Sequence, residues 1–230
     1  KDTSEAKVFV LVEEAGIAKG IRRIKALTGA LAEEAEKTRI AFAQRLKDAH
    51  NLPEASMDSE ERAINVALGT LVCSAAAKEG FKGELKKLTK KVVAYKKTQS
   101  VLKGKQAEEQ GVKVATAAKE SGAPFSVDVF AFGADGKIAK NVLKKMLKIH
   151  PDGAFMLISA DPESGKLGAY AGVGKPTIGK ISAKDWCGAL ASDNGGRGGG
   201  KPDNAQWVGE FSVGLEKVTA EAKAFATSKF

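Results

Sequence analysis

Residues 78–102, KEGFKGELKKLTKKVVAYKKTQSVL, decide how the chain must be read. Phe81 is followed by Leu85, Leu88, Val92, Tyr95, Gln99 and Leu102, in alternating steps of four and three. That spacing brings an apolar side chain back to one face at every turn, so it predicts the seam of an antiparallel helical hairpin or coiled coil. Between the seam positions the residues are basic. Lys78, Lys82, Lys86 and Lys90 repeat every fourth residue and share a face, with Lys87, Lys91, Lys96 and Lys97 beside them. Residues 78–119 hold twelve lysines and four glutamates, so +8 of the chain's formal +9 resides there. A solvated structural face mixes the two signs, whereas a one-sign face suits a polyanion gripped by its phosphates.

Upstream, Ala, Lys, Glu and Leu dominate residues 30–121, which contain a single proline. These are the strong helix formers. A first helix is expected over 30–49, with Leu31, Ala35, Thr38, Phe42 and Leu46 on its inner face. Asp58 followed by Glu61 has the capping-box spacing and predicts a second helix over 58–77, with Ile64, Leu68, Leu71 and Val72 inward. Further upstream, KVFVLV at 7–12 reads as a strand, while GIRRIKALTG at 20–29 fits either type. Its Ile17, Ile21 and Ile24 frame has helical spacing, yet Gly16, Gly20 and Gly29 leave a run short enough for a strand.

Downstream of residue 121 the period changes. FSVDVFAF predicts a strand, and DGKIAKNVLKKMLKIH a helix with Ile138, Val142, Met146 and Ile149 inward. GAFMLISA reads as a buried strand, DPESGK as a tight turn and KLGAYAGV as its hairpin partner. AKDWCGALAS is a short helix, and VGLEKVTAEAKAFATS closes the chain as another. Strands and helices interleaved in this way make a small α/β globular domain, so the whole chain reads as α+β or α/β, with a long helical arm leading into that domain.

Length and composition agree with this division. At 230 residues one or two domains are expected. A content of 43% hydrophobic and 28% charged residues excludes both a disordered tail and a membrane protein. The longest apolar runs, 8–12 and 154–158, are far below the ~20 residues that span a bilayer. Aromatic residues make up only 6%, which argues against base stacking as the main mode of binding. Cys73, Cys187, His50 and His150 show no paired spacing, so neither a disulfide framework nor a metal site is expected, and the cysteines read as buried thiols. The first residues lack a signal-peptide pattern, and Lys1 in place of Met suggests a piece of a longer protein.

Residues 195–206, GGRGGGKPDNAQ, are the most informative short stretch. Gly195, Gly196, Gly198, Gly199 and Gly200 surround Arg197, and Lys201 follows. Such a glycine run is expected to form a loop whose amides converge on a phosphate, with Arg197 and Lys201 supplying full charges. Residues 195–201 also satisfy G-x-x-x-x-G-K, but Pro202 stands where the metal-binding Ser or Thr belongs, and the stretch follows a helix rather than a strand. Ser100 and Lys103 match S-x-x-K only inside a lysine-rich helix. No catalytic constellation is present.

The stretches FVLVEEAGIAKGIRRIKALTGALAE, at 9–33, and DVFAFGADGK through GGRGGGKPDNAQ resemble, in order and spacing, the alanyl-tRNA synthetases. The first resembles the end of their editing domain, in a eukaryotic-like wording, and the second their C-terminal domain of DHHA1 type. The resemblance makes GIRRIKALTG a strand. It implies three parts: an editing-domain remnant at 1–29, a helical arm at 30–121 and a DHHA1-type globular domain at 122–230. It also implies that the chain begins just after the last zinc ligands of the editing site. The fragment itself is then noncatalytic and without cofactor, while the parent is an ATP-dependent alanine-tRNA ligase whose ATP, magnesium and zinc belong to other domains. The implied role is a cytoplasmic tRNA-binding module that supports aminoacylation and editing of tRNA(Ala).

On this reading Lys82, Lys86, Lys90 and Lys97 track backbone phosphate, and the 195–201 loop with Asp203 and Gln206 fits a tRNA corner. Trp207 and Val208 depart from the small glycines of bacterial members and are expected to fill the groove where a nucleotide would lie. The alternative is an interaction module that homodimerises through Leu85, Leu88, Val92, Tyr95 and Leu102 and contacts DNA or protein. A phosphoesterase activity is set aside, because domains of this type take their metals from a separate Asp- and His-rich domain, and no such cluster occurs in the sequence.

Overall fold

A computed structural model describes residues 2–230. The chain divides into two compact units, with the boundary between Thr98 and Gln99.

After a short 3-10 helix at Thr3–Ala6, the N-terminal unit forms β1 (Phe9–Ala18) and β2 (Ile21–Thr28), an antiparallel hairpin that turns at Lys19 and Gly20. Gly20 has φ +80°, a left-handed conformation that glycine adopts without steric cost. GIRRIKALTG is therefore a strand. Helix α1 (Gly29–Ala49) sets Ala32 and Ala35 against Val10, Val12 and Leu27 of the hairpin. Leu31, expected on the inner face, is 67% exposed, and Ala32 takes its place. Further along, Phe42 and Leu46 join α2 (Glu54–Thr70) and the first half of α3 (Ala75–Ser121) in a three-helix core centred on Ile64 and Leu88.

Two helix boundaries differ from the expected ones. Helix α2 starts at Glu54, with Pro53 at the cap position, because proline's fixed φ and missing N–H suit a helix start. Asp58 consequently lies inside the helix, where its carboxylate accepts from Arg62 and pairs with Lys96 at 2.7 Å each. The helix also ends at Thr70 rather than near residue 77. Leu71 is extended, Val72 is exposed, and Ser74 Oγ accepts from the Ala77 amide to start α3. Lys78 Nζ donates to the Gly69 and Leu71 carbonyls, satisfying acceptors left open at the end of α2.

The C-terminal unit is a five-stranded mixed sheet between helical layers. Its strands are β3 (Phe125–Phe130), β4 (Ala154–Asp161), β5 (Lys166–Val173), β6 (Arg197–Gly200) and β7 (Asn204–Glu210), in the order β3-β4-β5-β7-β6. Only β3 and β4 are parallel, and α4 (Gly136–Ile149) lies between them in sequence. Helix α4 and the second half of α3 cover one face, burying Val142, Met146 and Ala115 against Phe155, Leu157 and Tyr170. Gly111 lets the two helices close up, since a Cβ there would stand 2.6 Å from Val142 Cγ1. On the opposite face α5 (Ala183–Asn194) and α6 (Leu215–Thr227) enclose Trp186, Cys187, Trp207 and Val218. The long helix followed by a small sheet domain is the architecture expected from the sequence. Among the described residues no helix is long and apolar enough to cross a membrane.

Candidate nucleic-acid interface

The lysines of α3's first half stand in two states. Lys82 pairs with Glu79 at 3.0 Å, Lys87 with Glu84 at 2.7 Å and Lys96 with Asp58 at 2.7 Å, while Lys78 is committed to the end of α2. Lys86, Lys90, Lys91 and Lys97 are exposed, and among the described residues none of them reaches a carboxylate. Lys82, Lys86 and Lys90 do share a face, as their spacing requires, and line a shallow groove against Glu61 and Asn65 of α2. Glu61 is held in place by Thr89, whose hydroxyl donates to it at 2.6 Å.

The seam assigned to dimerisation is spent within the chain. Leu85, Leu88 and Val92 are buried in the three-helix core against Ile64 and Leu68. The spacing reports a helix that needs an apolar partner, and α1 and α2 supply it. Tyr95 is half-buried and Leu102 exposed, so these two do not continue the seam as a packed face.

The glycine-rich stretch is a strand, not a loop. Residues Arg197–Gly200 form edge strand β6, paired antiparallel to β7 with Gly199 opposite Gln206 and Gly198 opposite Trp207. The Lys201 amide donates to the Asn204 carbonyl at 2.8 Å and the Asn204 amide donates back to Lys201, closing a tight turn around Pro202 and Asp203. The Asp203 carbonyl accepts from the Val173 amide and the Pro202 carbonyl from the Ala183 amide. The expected nest of free amides is therefore corrected, because the Lys201 amide and part of the β6 backbone are used to build the sheet.

The glycines have a packing cause as well. Trp207 is fully buried on the α5 side of the sheet, and its Nε1–H donates to the Gly195 carbonyl at 2.7 Å. A Cβ at Gly196 would lie 3.1 Å from Nε1, one at Gly198 3.2 Å from the Cys187 carbonyl oxygen, and one at Gly209 would strike the indole. The expectation that Trp207 fills a nucleotide groove is thus overturned. Strand alternation sends it into the core and puts Asn204 and Gln206 on the other face. Gln206 abuts the start of α4, its Oε1 3.0 Å from where a Cβ on Gly136 would be.

Lys201 and Asp203 instead line a groove of about 1000 Å³ within the C-terminal unit. Its first wall is α4, which contributes Lys140, Lys144 and Lys148; its second is the segment around Gly174 and Lys175; its third is the β6–β7 turn. All five lysines are exposed, and among the described residues none is in an ion pair. Sequence reasoning missed four of them. The signal was present, because Lys140, Lys144 and Lys148 repeat at i, i+4 and i+8 beside the buried Ile138, Val142 and Met146 face.

Residues 122–228 match the DHHA1 domain, and residues 32–95 match the alanine-tRNA ligase domain. The alanine-tRNA ligase of Schizosaccharomyces pombe is 28% identical over 228 residues, covering 99% of this chain and 23% of that protein. The chain belongs to the alanyl-tRNA synthetase family. The cytoplasmic alanine-tRNA ligase of Drosophila melanogaster is 31% identical over 234 residues, covering 96% of the chain and 24% of the ligase. The chain therefore spans about a quarter of the length of the curated family members it matches, and its likeness is to the C-terminal region of those synthetases. Among solved structures, the C-Ala domain from Aquifex aeolicus alanyl-tRNA synthetase aligns with a TM-score of 0.39 at 20% identity, covering 46% of this chain and 89% of that one.

Proposed function

We propose that this region of the synthetase is a noncatalytic tRNA-binding module, acting in the cytoplasm to support aminoacylation and editing of tRNA(Ala) by the larger protein. The observation that carries the reading is the unneutralised charge on α3. Lys86, Lys90, Lys91 and Lys97 stand exposed without a carboxylate partner in the first half of α3, where the other lysines, Lys78, Lys82, Lys87 and Lys96, are paired or capping. Uncompensated like charges repel one another and favour a polyanion that releases its counterions on binding. The stretch has few aromatic residues to stack on bases, so backbone phosphate is the fitting ligand. Family membership supplies the choice of tRNA among polyanions.

The test is binding of tRNA(Ala) across a salt series. Affinity should fall steeply with salt, and each of Lys86→Ala, Lys90→Ala and Lys97→Ala should lower the log–log slope by about one unit where a phosphate contact is lost. A flat salt profile, or tighter binding of an equally long DNA duplex, would refute the tRNA assignment.

A further inference from the structure

We infer that the groove between α2 and α3 docks an amphipathic helix from a partner protein. That helix carries an aliphatic stripe on its inner side and carboxylates along the flank that faces α3. It completes a bundle of which α1, α2 and the first half of α3 are three members. It also competes with tRNA for Lys86 and Lys90, and the competition alone rests on the tRNA reading above.

The shape of the groove follows from the three-helix core. Leu68 and Leu85 reach from that core to the floor, and Val93 and Ala94 extend the floor along α3. Among the described residues no part of α1 lines it, so α2 and α3 alone make its walls. The groove encloses about 660 Å³. From Lys82 to Ala94 its α3 wall rises about 18 Å, which matches roughly three turns of a guest helix. Val93 is 59% exposed, an apolar side chain left in water beside two buried leucines. A guest helix with an apolar stripe would cover it.

The two walls differ in charge, and the difference selects the guest. Lys82, Lys86 and Lys90 stand on the α3 wall, and Lys86 and Lys90 lack a carboxylate partner among the described residues. The α2 wall carries Glu61 and Asn65, with Glu61 fixed by the Thr89 hydroxyl at 2.6 Å. A phosphate strand laid along this groove would be held on one side and repelled on the other, over an aliphatic floor with no ring for a base. A helix with carboxylates on one flank satisfies both walls. RNA instead meets Lys86 and Lys90 from the outer side, where Lys91 and Lys97 lie off the groove.

Two glycines agree with a closely packed guest. Gly69 follows Glu61 and Asn65 on the α2 wall at helical spacing, and Gly83 precedes Lys86 and Lys90 on the α3 wall in the same way. Glycine weakens a helix, and among the described residues no neighbour requires it here, because a Cβ at either position would meet nothing within 4 Å. Bare backbone on both walls lets a guest helix approach where Lys78 ties the start of α3 to the Gly69 carbonyl.

The experiment titrates the whole chain with three labelled synthetic peptides of about fifteen residues, the length that fills the groove. One is helical, with leucine at every third or fourth position and glutamate along one flank. Another has the same composition scrambled so that the leucines share no face, and the last is polyglutamate. Only the first should bind. Val93→Gln changes an exposed floor position, and Gly83→Gln adds a side chain that favours the helix but intrudes on the groove. Each should weaken the helical peptide by about tenfold and leave tRNA(Ala) affinity within about twofold. The double variant Lys86→Gln, Lys90→Gln should weaken both ligands, and saturating tRNA(Ala) should displace the peptide. Equal binding of the scrambled or polyglutamate peptide, no binding of any peptide, or a helical peptide that stays bound at saturating tRNA would overturn the proposal. Concentration-dependent self-association abolished by Val93→Gln would make a second copy of the chain the occupant and overturn it too. Peptide binding that responds to Val93→Gln in a chain without affinity for tRNA would refute the tRNA reading and leave the groove standing. Binding of tRNA without binding of the peptide would do the reverse.

Discussion

Replacing Trp207 with phenylalanine separates a core tryptophan from one that lines a binding groove. The indole is fully buried, flanked by Gly196, Gly198 and Gly209, and bonded through Nε1 to the Gly195 carbonyl at 2.7 Å. Phenylalanine removes two ring carbons, worth roughly 1.5 kcal/mol of burial. It also removes the donor to a carbonyl in a part-buried setting, about 1 kcal/mol. The three glycines cannot fill the remaining void, which adds roughly 24 cal/mol per Å³ left open. The C-terminal unit should lose about 2.5–4 kcal/mol, a fall of roughly 10 °C in its melting temperature. Both tryptophans of the chain, Trp186 and Trp207, lie in this unit, so the fluorescence of the remaining Trp186 reports its unfolding in urea. Affinity for tRNA in the folded variant should match the wild type. An unfolding transition within about 1 kcal/mol of wild type, together with altered RNA affinity, would show that the indole faces a ligand.

Two more measurements probe the cores. Leu88→Ala should destabilise the N-terminal unit by about 3 kcal/mol, since the side chain is fully buried among α1, α2 and α3, and sedimentation should give the same oligomeric state as wild type. Retained stability with loss of an oligomer would return Leu88 to an intermolecular seam. Burial pushes the Cys187 thiol from 9.0 up to about 12, so the fold favours the neutral thiol. That contribution is complete below about pH 9 and is lost as pH rises towards 12, because the unfolded chain then gains by ionising. Cys187→Ala should therefore show a shallower loss of stability in that window, read from urea midpoints across pH, and an unchanged alkaline limb would contradict the burial argument.

The parts of the fold that were legible in the sequence are those where local pattern and tertiary role coincide. GAFMLISA is apolar but for Ser159 because β4 is covered on both faces, and DGKIAKNVLKKMLKIH has one apolar face because α4 has one covered side. The seam from Leu85 to Val92 gave the helix but not the partner, since spacing records that a face must be buried and not by what. Asp58 misled because the capping-box spacing also suits carboxylates inside a helix, and Pro53 five residues earlier was the stronger start signal. The glycine run was unreadable as a strand. Glycine has low strand propensity, and β6 exists because β7 pairs with it and α5 packs closely against it. The basic groove was hidden for a related reason: its lysines come from three segments between residues 140 and 201, and only the folded sheet brings them together.

The mould of glycines around one indole also constrains how this unit can change over time. A methyl at position 209 is excluded while tryptophan occupies 207, yet it becomes admissible once that ring has shrunk. The order of the two substitutions therefore matters: one sequence of steps passes through an overpacked intermediate and the other through an underpacked one. Such coupling predicts positive epistasis between Trp207→Phe and Gly209→Ala, and it makes the history of β7 path-dependent.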